Sequence, residues 1–178
     1  MGERARATFG ALLAVSFVLI AAASSAAVDR MSGSERFDGG LLVSNPSGKR
    51  VVAGSVIAMS GVFSGVGRIV ERPNRPGDSA KVSRDDLVFA GGTLHIVNVD
   101  RGHMALAVNA RTCTATFKAP KTTTVDGGTG RFAGATGTFV GDVSGSGVAR
   151  RKADGSCDQQ HPPLIEIDTV TGTGTLTF

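Results

Sequence analysis

The sequence predicts an all-β fold: a small, closed antiparallel barrel of about eight strands in one domain, with one disulfide. Short runs rich in Val, Ile, Thr and Phe are separated by Gly, Asn, Asp and Pro, and Gly alone supplies 25 of the 178 residues. No run of helical length carries apolar residues at helical spacing. The connections between the runs are too short for parallel crossovers, so the strands are expected to pair antiparallel.

Residues 1–27 have the pattern of a secretory signal peptide. Arg4 and Arg6 form a positive N-terminal region, residues 9–23 are apolar, and small residues precede Val28, where the mature chain is expected to begin. The alternative is an uncleaved membrane anchor, since the apolar stretch with its small residues is just long enough to cross a bilayer. The run of alanines and serines favours cleavage, which predicts a secreted or extracytoplasmic protein without a stable membrane span.

The mature chain is predicted to consist of a flexible polar leader, residues 28–36, followed by a single β-barrel domain, residues 37–178. Turn residues such as Asn-Pro-Ser-Gly and Asp-Gly-Gly separate the strand candidates of this domain. In chain order the candidates are residues 41–43, 51–59, 62–70, 87–90, 93–99, 104–117, 122–125, 137–143 and 165–178.

Two of these candidates change their apolar phase along their length. In 104–117, Met104 and Leu106 share one face, whereas Cys113 and Phe117 take the opposite parity. The predicted cause is a β-bulge between Ala110 and Cys113, because one extra residue exchanges the two faces of a strand. Long strands that bend in this way suit a closed barrel better than a flat sandwich.

The last candidate shows a similar change and carries two carboxylates. Ile165 and Ile167 alternate with the acidic residues Glu166 and Asp168. Further along the strand, Leu176 and Phe178 have the parity opposite to that of the two isoleucines. Paired carboxylates can serve as acid and base when their surroundings separate their pKa values. On a solvent-facing strand the same two residues would only provide solubility, so their role depends on which face points inward.

Cys113 and Cys157 are the only cysteines. In an exported protein such a pair forms a structural disulfide, which at this loop length stabilises the fold by roughly 4 kcal/mol. A metal site would require histidines at close spacing, and His161 is the only one nearby. We therefore predict no metal site and no cofactor.

Charge and motifs exclude several functions. The formal net charge is +4, and the basic clusters contain none of the aromatic residues that stack on nucleic-acid bases, so no nucleic-acid partner is predicted. The chain has no Gly-x-Ser-x-Gly, His-Glu-x-x-His or phosphate-binding loop sequence. His95 and His103, like His161, are predicted to be surface or rim residues.

Glycine and phenylalanine recur in one pattern. Residues 61–65 and 130–134 both read Gly-x-Phe-x-Gly, and glycine within strands marks a bend or a close approach of backbone or ligand. Seven phenylalanines lie in the mature chain, enough to fill a small barrel or to line a cavity within it. The predicted lining residues are Phe63, Phe117, Phe132 and Phe139.

Residues 126–138 (DGGTGRFAGATGT) resemble the Gly-Gly-Thr-Gly-x-Phe signature of dirigent-like and allene-oxide-cyclase-like proteins. Residues 60–71 and 86–100 look like the earlier strands of that family. The resemblance implies an eight-stranded barrel with an apolar lumen, which in plant members orients a reactive molecule during cyclisation or coupling. This chain departs from the family pattern at Arg131, where the family often has Asp or Lys, and at Thr136, where the family's Arg is missing.

Three functions follow as hypotheses. The favoured one is an exported, non-catalytic barrel that binds a small apolar molecule or a cell-envelope component. The second is a cofactor-free cyclase or isomerase acting on a reactive lipid or polyketide, for which Arg131, Glu166 and Asp168 are the catalytic candidates and should point into the lumen. The third is a structural surface protein that acts as a homo-oligomer.

Overall fold

The computed structural model describes residues 30–45 and 48–178, and this part of the chain forms nine β-strands and no helix. Their order and bounds are β1 (Ser32–Ser44), β2 (Val51–Gly61), β3 (Gly65–Arg72), β4 (Val82–Phe89), β5 (Gly92–Asp100), β6 (Ala105–Asn109), β7 (Thr114–Gly130), β8 (Thr136–Val148) and β9 (Ile165–Thr177).

Eight of the strands close into an antiparallel barrel. Each of β1 to β5 pairs with its sequence neighbour, β1 also pairs with β9, and β9 continues through β8 to β7. The pairing of β5 with β7 completes the ring, and β6 is an additional strand bound to the first residues of β7. Closure leaves no free edge between the eight strands. The predicted closed barrel is confirmed.

Side chains alternate between the lumen and the outer surface, as the pleat requires. In β5, Leu94 and Ile96 are buried, whereas His95 lies between them on the outer face and places its Nδ1 atom 2.7 Å from Oδ1 of Asp86. His95 thus lies on the face of the strand opposite to that of Leu94 and Ile96. Sixteen buried apolar residues form one continuous core inside the barrel.

The phase change predicted as a bulge between Ala110 and Cys113 is a hairpin turn. The chain leaves β6 at Asn109 and enters β7 at Thr114, so the single strand predicted over residues 104–117 was wrong. Cys113 adopts a left-handed backbone conformation with φ of 58°, and its N–H donates to the Asn109 carbonyl oxygen. A hairpin turn changes the parity of the apolar residues in the same way as an inserted residue does. The alternation of apolar residues therefore could not distinguish the turn from a bulge.

The second phase change does not exist. The pairing of β9 with β1 runs from Ser32↔Thr177 to Ser44↔Ile165 without a shift of register. Asp168 therefore shares the inward face with Leu176, and the outward residue Ile167 is 60% exposed. The predicted phase change was wrong because it assumed that Ile165 and Ile167 face the core. In the structure the carboxylates of Glu166 and Asp168 face inward, and the isoleucines face outward.

The predicted flexible leader, residues 28–36, was also wrong over the part that the structure describes. β1 begins at Ser32, which pairs with Thr177, and Glu35 is buried with its Oε2 atom accepting the Phe63 N–H at 2.7 Å. The leader's polar residues therefore belong to the barrel wall. The predicted signal peptide, its cleavage point and Val28 lie outside the described residues. A helix able to cross a membrane is not found within residues 30–45 and 48–178.

The predicted disulfide is confirmed. Cys113 and Cys157 are joined at an S–S distance of 2.01 Å, across a sequence separation of 44 residues. Both residues are buried, and together with Ala149 they form a small second core outside the barrel. The bond attaches the connection between β8 and β9 to the turn between β6 and β7.

Candidate functional site

The two ends of the barrel differ in how they are filled, and one end is closed by aromatic rings. Phe63, Phe89, Phe132 and Phe178 pack there with centroid distances of 5.0 to 6.3 Å, mostly edge to face. This arrangement matches the preferred geometry of aromatic pairs. We call this region the closed end.

The two Gly-x-Phe-x-Gly segments are the turns that build the closed end. They follow β2 and β7, and their rings, Phe63 and Phe132, meet at 5.0 Å. Gly61 has a φ of 144°, and a Cβ at this position would overlap the Ser34 carbonyl oxygen. Glycine is needed here because the chain must turn sharply against β1 before it can direct the phenylalanine inward.

Arg131 caps the closed end from outside. Its guanidinium carbon lies 4.9 Å from the ring centroid of Phe63, 5.6 Å from that of Phe132 and 5.7 Å from that of Phe178. These are cation–π distances. The side chain that the family resemblance suggested as a catalytic candidate is thus remote from the cavity described next.

The other end of the barrel, the open end, contains a cavity of about 250 Å³. Its deeper wall is apolar and is formed by Phe37, Leu41, Ile57, Ile69, Leu87, Ile96, Val143 and Val170. Its mouth is polar, and the polar lining side chains include Arg50, Glu71, Asp85, Asn98, Lys121, Thr123 and Asp168. An apolar pocket with a few converging polar groups is the usual form of a small-molecule site.

Arg50 is the cation at the centre of the mouth. Its Nε and Nη2 atoms donate to Oε1 of Glu71 at 3.0 and 2.8 Å. On the opposite side, its Nη1 lies 3.5 Å from Oε1 of Glu166, and its Nη2 lies 3.7 Å from Oδ2 of Asp168. One guanidinium group therefore connects β3 to β9 across the mouth.

Asp168 is the most deeply buried of these acids, with a side chain that is 5% exposed. Its Oδ1 atom has no hydrogen-bond partner within the described residues. Burial raises the pKa of Asp168, and the hydrogen bond and negative charge of Glu166 raise it further, against the opposing effect of Arg50.

Asp85 lies on the other side of the cavity, in β4. Burial and the nearby charge of Glu71 raise its pKa to about 6, although Asn98 donates to its Oδ2 at 2.7 Å. Thr123 in turn donates to the side-chain oxygen of Asn98 at 2.6 Å. This chain of hydrogen bonds fixes Asp85, Asn98 and Thr123 across β4, β5 and β7.

The four predicted lining phenylalanines lie elsewhere. Phe63, Phe132 and Phe139 are buried in the core, Phe117 is half-buried, and none of the four is among the residues that line the cavity. Phe37 is the aromatic residue of the lining, and its ring packs edge-on against Phe139 at 5.2 Å. Of the catalytic candidates, the structure brings Glu166 and Asp168 together at the mouth.

Sequence reasoning missed Arg50, Glu71 and Asp85. The alternation in β4 carried a signal for Asp85, since it has the same parity as Leu87 and Phe89, which are buried. Arg50 precedes β2 and has no such signal, because only the closure of the barrel places it opposite β9.

The described part of the chain contains no group of three or more His, Cys, Asp or Glu side chains placed to hold a metal ion. Comparisons with protein-family models, with curated proteins and with solved structures find no match to this chain. The dirigent-like resemblance therefore stays a prediction, and the function must be argued from the cavity itself.

Proposed function

We propose that this protein is an exported barrel that binds a small molecule, or part of a cell-envelope component, in the cavity of the open end without converting it. The observation that carries the proposal is the contrast within one lumen: an apolar pocket with a polar mouth at one end, and a packed aromatic core at the other. A barrel of this size needs no cavity for its stability.

The cavity limits the size of the ligand. Its volume of about 250 Å³ lies just below the range of roughly 300 to 1,000 Å³ that is typical of small-molecule pockets. A short alkyl chain or a single ring would fit, as would the end of a longer molecule that protrudes through the mouth. The apolar wall would remove that part from water, which supplies the binding free energy.

Two features support export. The Cys113–Cys157 disulfide is the form expected in an oxidising compartment, and the first 27 residues have the pattern of a cleaved secretory signal. In that setting, the family resemblance to dirigent-like barrels supports the use of the lumen as a binding site.

A pair of matched variants tests the proposal. Val143 lines the cavity, and Val140 lies on the same strand with its side chain outside, 51% exposed. Ligand-observed NMR with a panel of short apolar and amphipathic compounds should detect saturable binding to the purified protein. We expect Val143→Phe to abolish this binding and Val140→Phe to preserve it. The absence of binding across the panel, or equal binding by both variants, would refute the proposal.

A second candidate, a cyclase or isomerase without a cofactor, is favoured by one observation. Asp85 and Asp168 border the cavity, and burial raises both of their pKa values from the ordinary range towards neutrality, where a carboxyl group can give and take a proton. Incubation with an unsaturated fatty-acid epoxide, followed by chiral analysis of the products, tests this candidate. One enantiomer in excess would support it, provided that Asp168→Asn removes the excess, and a racemic product would exclude it for that substrate class.

A further inference from the structure

We propose, building on the proposed function, that the ligand of the open-end cavity is an organic cation: a small molecule with an apolar body and a protonated amine, for which Asp168 is the counter-ion. The charges around the mouth, the burial of Asp168 and the free acceptor on its carboxylate support this assignment.

Half of the charged groups that line the cavity are paired with a neighbour outside it. Each of these pairs is closed by an oxygen–nitrogen distance of 2.6 to 3.2 Å: Arg72 with Asp86, Arg84 with Asp78, Lys118 with Asp142, and Lys121 with Asp100. Every such pair joins one cation to one anion. The net charge of the mouth is therefore set by the charged groups outside these pairs.

Those remaining groups are strongly unbalanced. Arg50 is the single cation among them, and it lies near three carboxyl groups of the lining: Glu71, Asp85 and Asp168. Glu166, which does not line the cavity, adds a fourth carboxyl group 3.5 Å from Arg50. Arg50 is closest to Glu71, at 2.8 Å, and farther from the two acids of β9. The excess of acidic groups makes the mouth complementary to a positive charge and repels an anion.

Asp168 provides the specific contact. Its side chain is 5% exposed and borders the cavity, yet its Oδ1 atom has no hydrogen-bond partner in the part of the chain that the structure describes. A buried carboxylate oxygen without a donor is costly, and an ammonium group offers three donors and no acceptor. Gly145 pairs with Asp168 across β8 and β9, and a side chain there would overlap this oxygen. The glycine therefore leaves room for the Asp168 carboxylate at this position.

The same groups make the binding of a cation depend on pH. Burial and Glu166 favour the protonated form of Asp168, whereas a bound ammonium favours the ionised form, so binding releases protons. The charged groups that act on Asp168 are Glu166 from β9 itself and Arg50 from the segment before β2, and Arg50 in turn binds Glu71 of β3. Affinity for the amine should therefore rise from about pH 5 to about pH 8.

Three compounds that share one apolar chain distinguish the effect of ligand charge from that of apolar burial: hexylamine, hexan-1-ol and hexanoate. Isothermal titration of the full purified protein at about pH 8 should give an affinity for hexylamine about tenfold or more above that for hexan-1-ol, and no measurable binding of hexanoate. High salt should weaken only the binding of the amine.

Two variants assign the preference to the mouth. Asp168→Asn should reduce the preference for the amine to less than about threefold and leave hexan-1-ol binding unchanged. Asp85→Asn serves as a second variant that lowers the acidic excess should Asp168→Asn fail to fold. Asp38→Asn is the matched control, because Asp38 is exposed and paired with Arg36 on the outer surface.

The outcomes separate this inference from the proposed function. If hexan-1-ol binds as tightly as hexylamine, or hexanoate binds more tightly, the assignment of a cation is overturned while binding in the cavity stands. If none of the three compounds binds and the wider panel also fails, the proposed function and this inference both fall. An amine preference that survives in both site variants also overturns the role of Asp168.

Discussion

The closed end and the open end are built from the same eight strands but use their inward positions differently. β9 contributes Leu176 at the closed end and Asp168 at the open end, with one parity, and Phe178 directly follows the strand at the closed end. β4 likewise contributes Phe89 at one end and Asp85 at the other. The backbone geometry is continuous along each strand, so the contrast comes from side-chain type alone.

This difference separates stability from function. The closed end packs four phenylalanine rings together, three of them buried and Phe178 partly buried, and contains little that is polar, which is the composition of a stabilising core. The open end holds carboxyl groups that resist ionisation and a cavity that remains unfilled, and both features reduce stability. Such costs are typical of a binding site.

The largest effect is expected from removing a ring at the closed end. Phe132 is completely buried and contacts three other rings, so Phe132→Ala should lower the free energy of unfolding by about 3–5 kcal/mol. Guanidinium unfolding measures this value. Phe117→Ala is the control at a half-buried position and should cost less than half as much. Equal costs would contradict the special role of the closed end.

The open end should give the protein an unusual dependence of stability on pH. Asp85 and Asp168 have higher pKa values in the folded state than in the unfolded chain, so the folded state keeps protons that the unfolded state has lost. The free energy of unfolding should therefore decrease as the pH rises from about 5 to about 8. Asp168→Asn should flatten this slope and raise stability by about 2–4 kcal/mol at the upper pH.

Asp38→Asn is the control for that measurement. Its ion pair with Arg36 lowers the pKa of Asp38, so this carboxyl is ionised throughout the same pH range in the folded state. The variant should keep the slope of the wild type. A wild-type stability that does not decrease between the two pH values would show that Asp85 and Asp168 ionise as easily in the barrel as in water.

A smaller effect is expected at Glu35, the buried carboxyl of the closed end. Its Oε2 accepts the Phe63 N–H, so Glu35→Ala leaves that donor unpaired and should cost about 1–3 kcal/mol. Glu35→Gln keeps an acceptor oxygen and should restore most of the loss. Urea unfolding of the two variants compares them, and an equal loss in both would mean that the charge, not the hydrogen bond, is what matters.

The smallest effect should come from filling the cavity. Val143→Phe adds volume where space exists and is expected to change the free energy of unfolding by less than about 1 kcal/mol. Leu94→Phe adds volume to a fully buried core position and should cost about 1–3 kcal/mol. Thermal unfolding of both variants is sufficient. If Val143→Phe is the more damaging of the two, the open end is not empty in solution.

The turns and the disulfide could be predicted from the positions of glycine, phenylalanine and cysteine, because these features depend on local chemistry. The Gly-x-Phe-x-Gly segments predicted a bend or a close approach, and both became turns because glycine alone tolerates the backbone at Gly61. The pairing of Cys113 with Cys157 followed from the absence of any other cysteine. Neither inference needed knowledge of distant contacts.

The site was harder to predict, because it depends on which face of each strand points inward. Ile167 and Asp168 show the difficulty: by hydrophobicity alone the isoleucine belongs inside, yet it is exposed and the aspartate is buried. The inward face of a strand is set by its partners, and Asp168 lies between Leu41 of β1 and Gly145 of β8 in the completed sheet.

By itself, the sequence determined that the chain forms antiparallel strands, where several of its turns fall and which cysteines join, because propensity, glycine conformation and residue count act locally. Only the tertiary structure decided that Arg50, Glu71, Asp85 and Asp168 meet around one cavity, since barrel closure brings together strands far apart in the chain. Their electrostatics follow from burial, which no single segment of sequence contains.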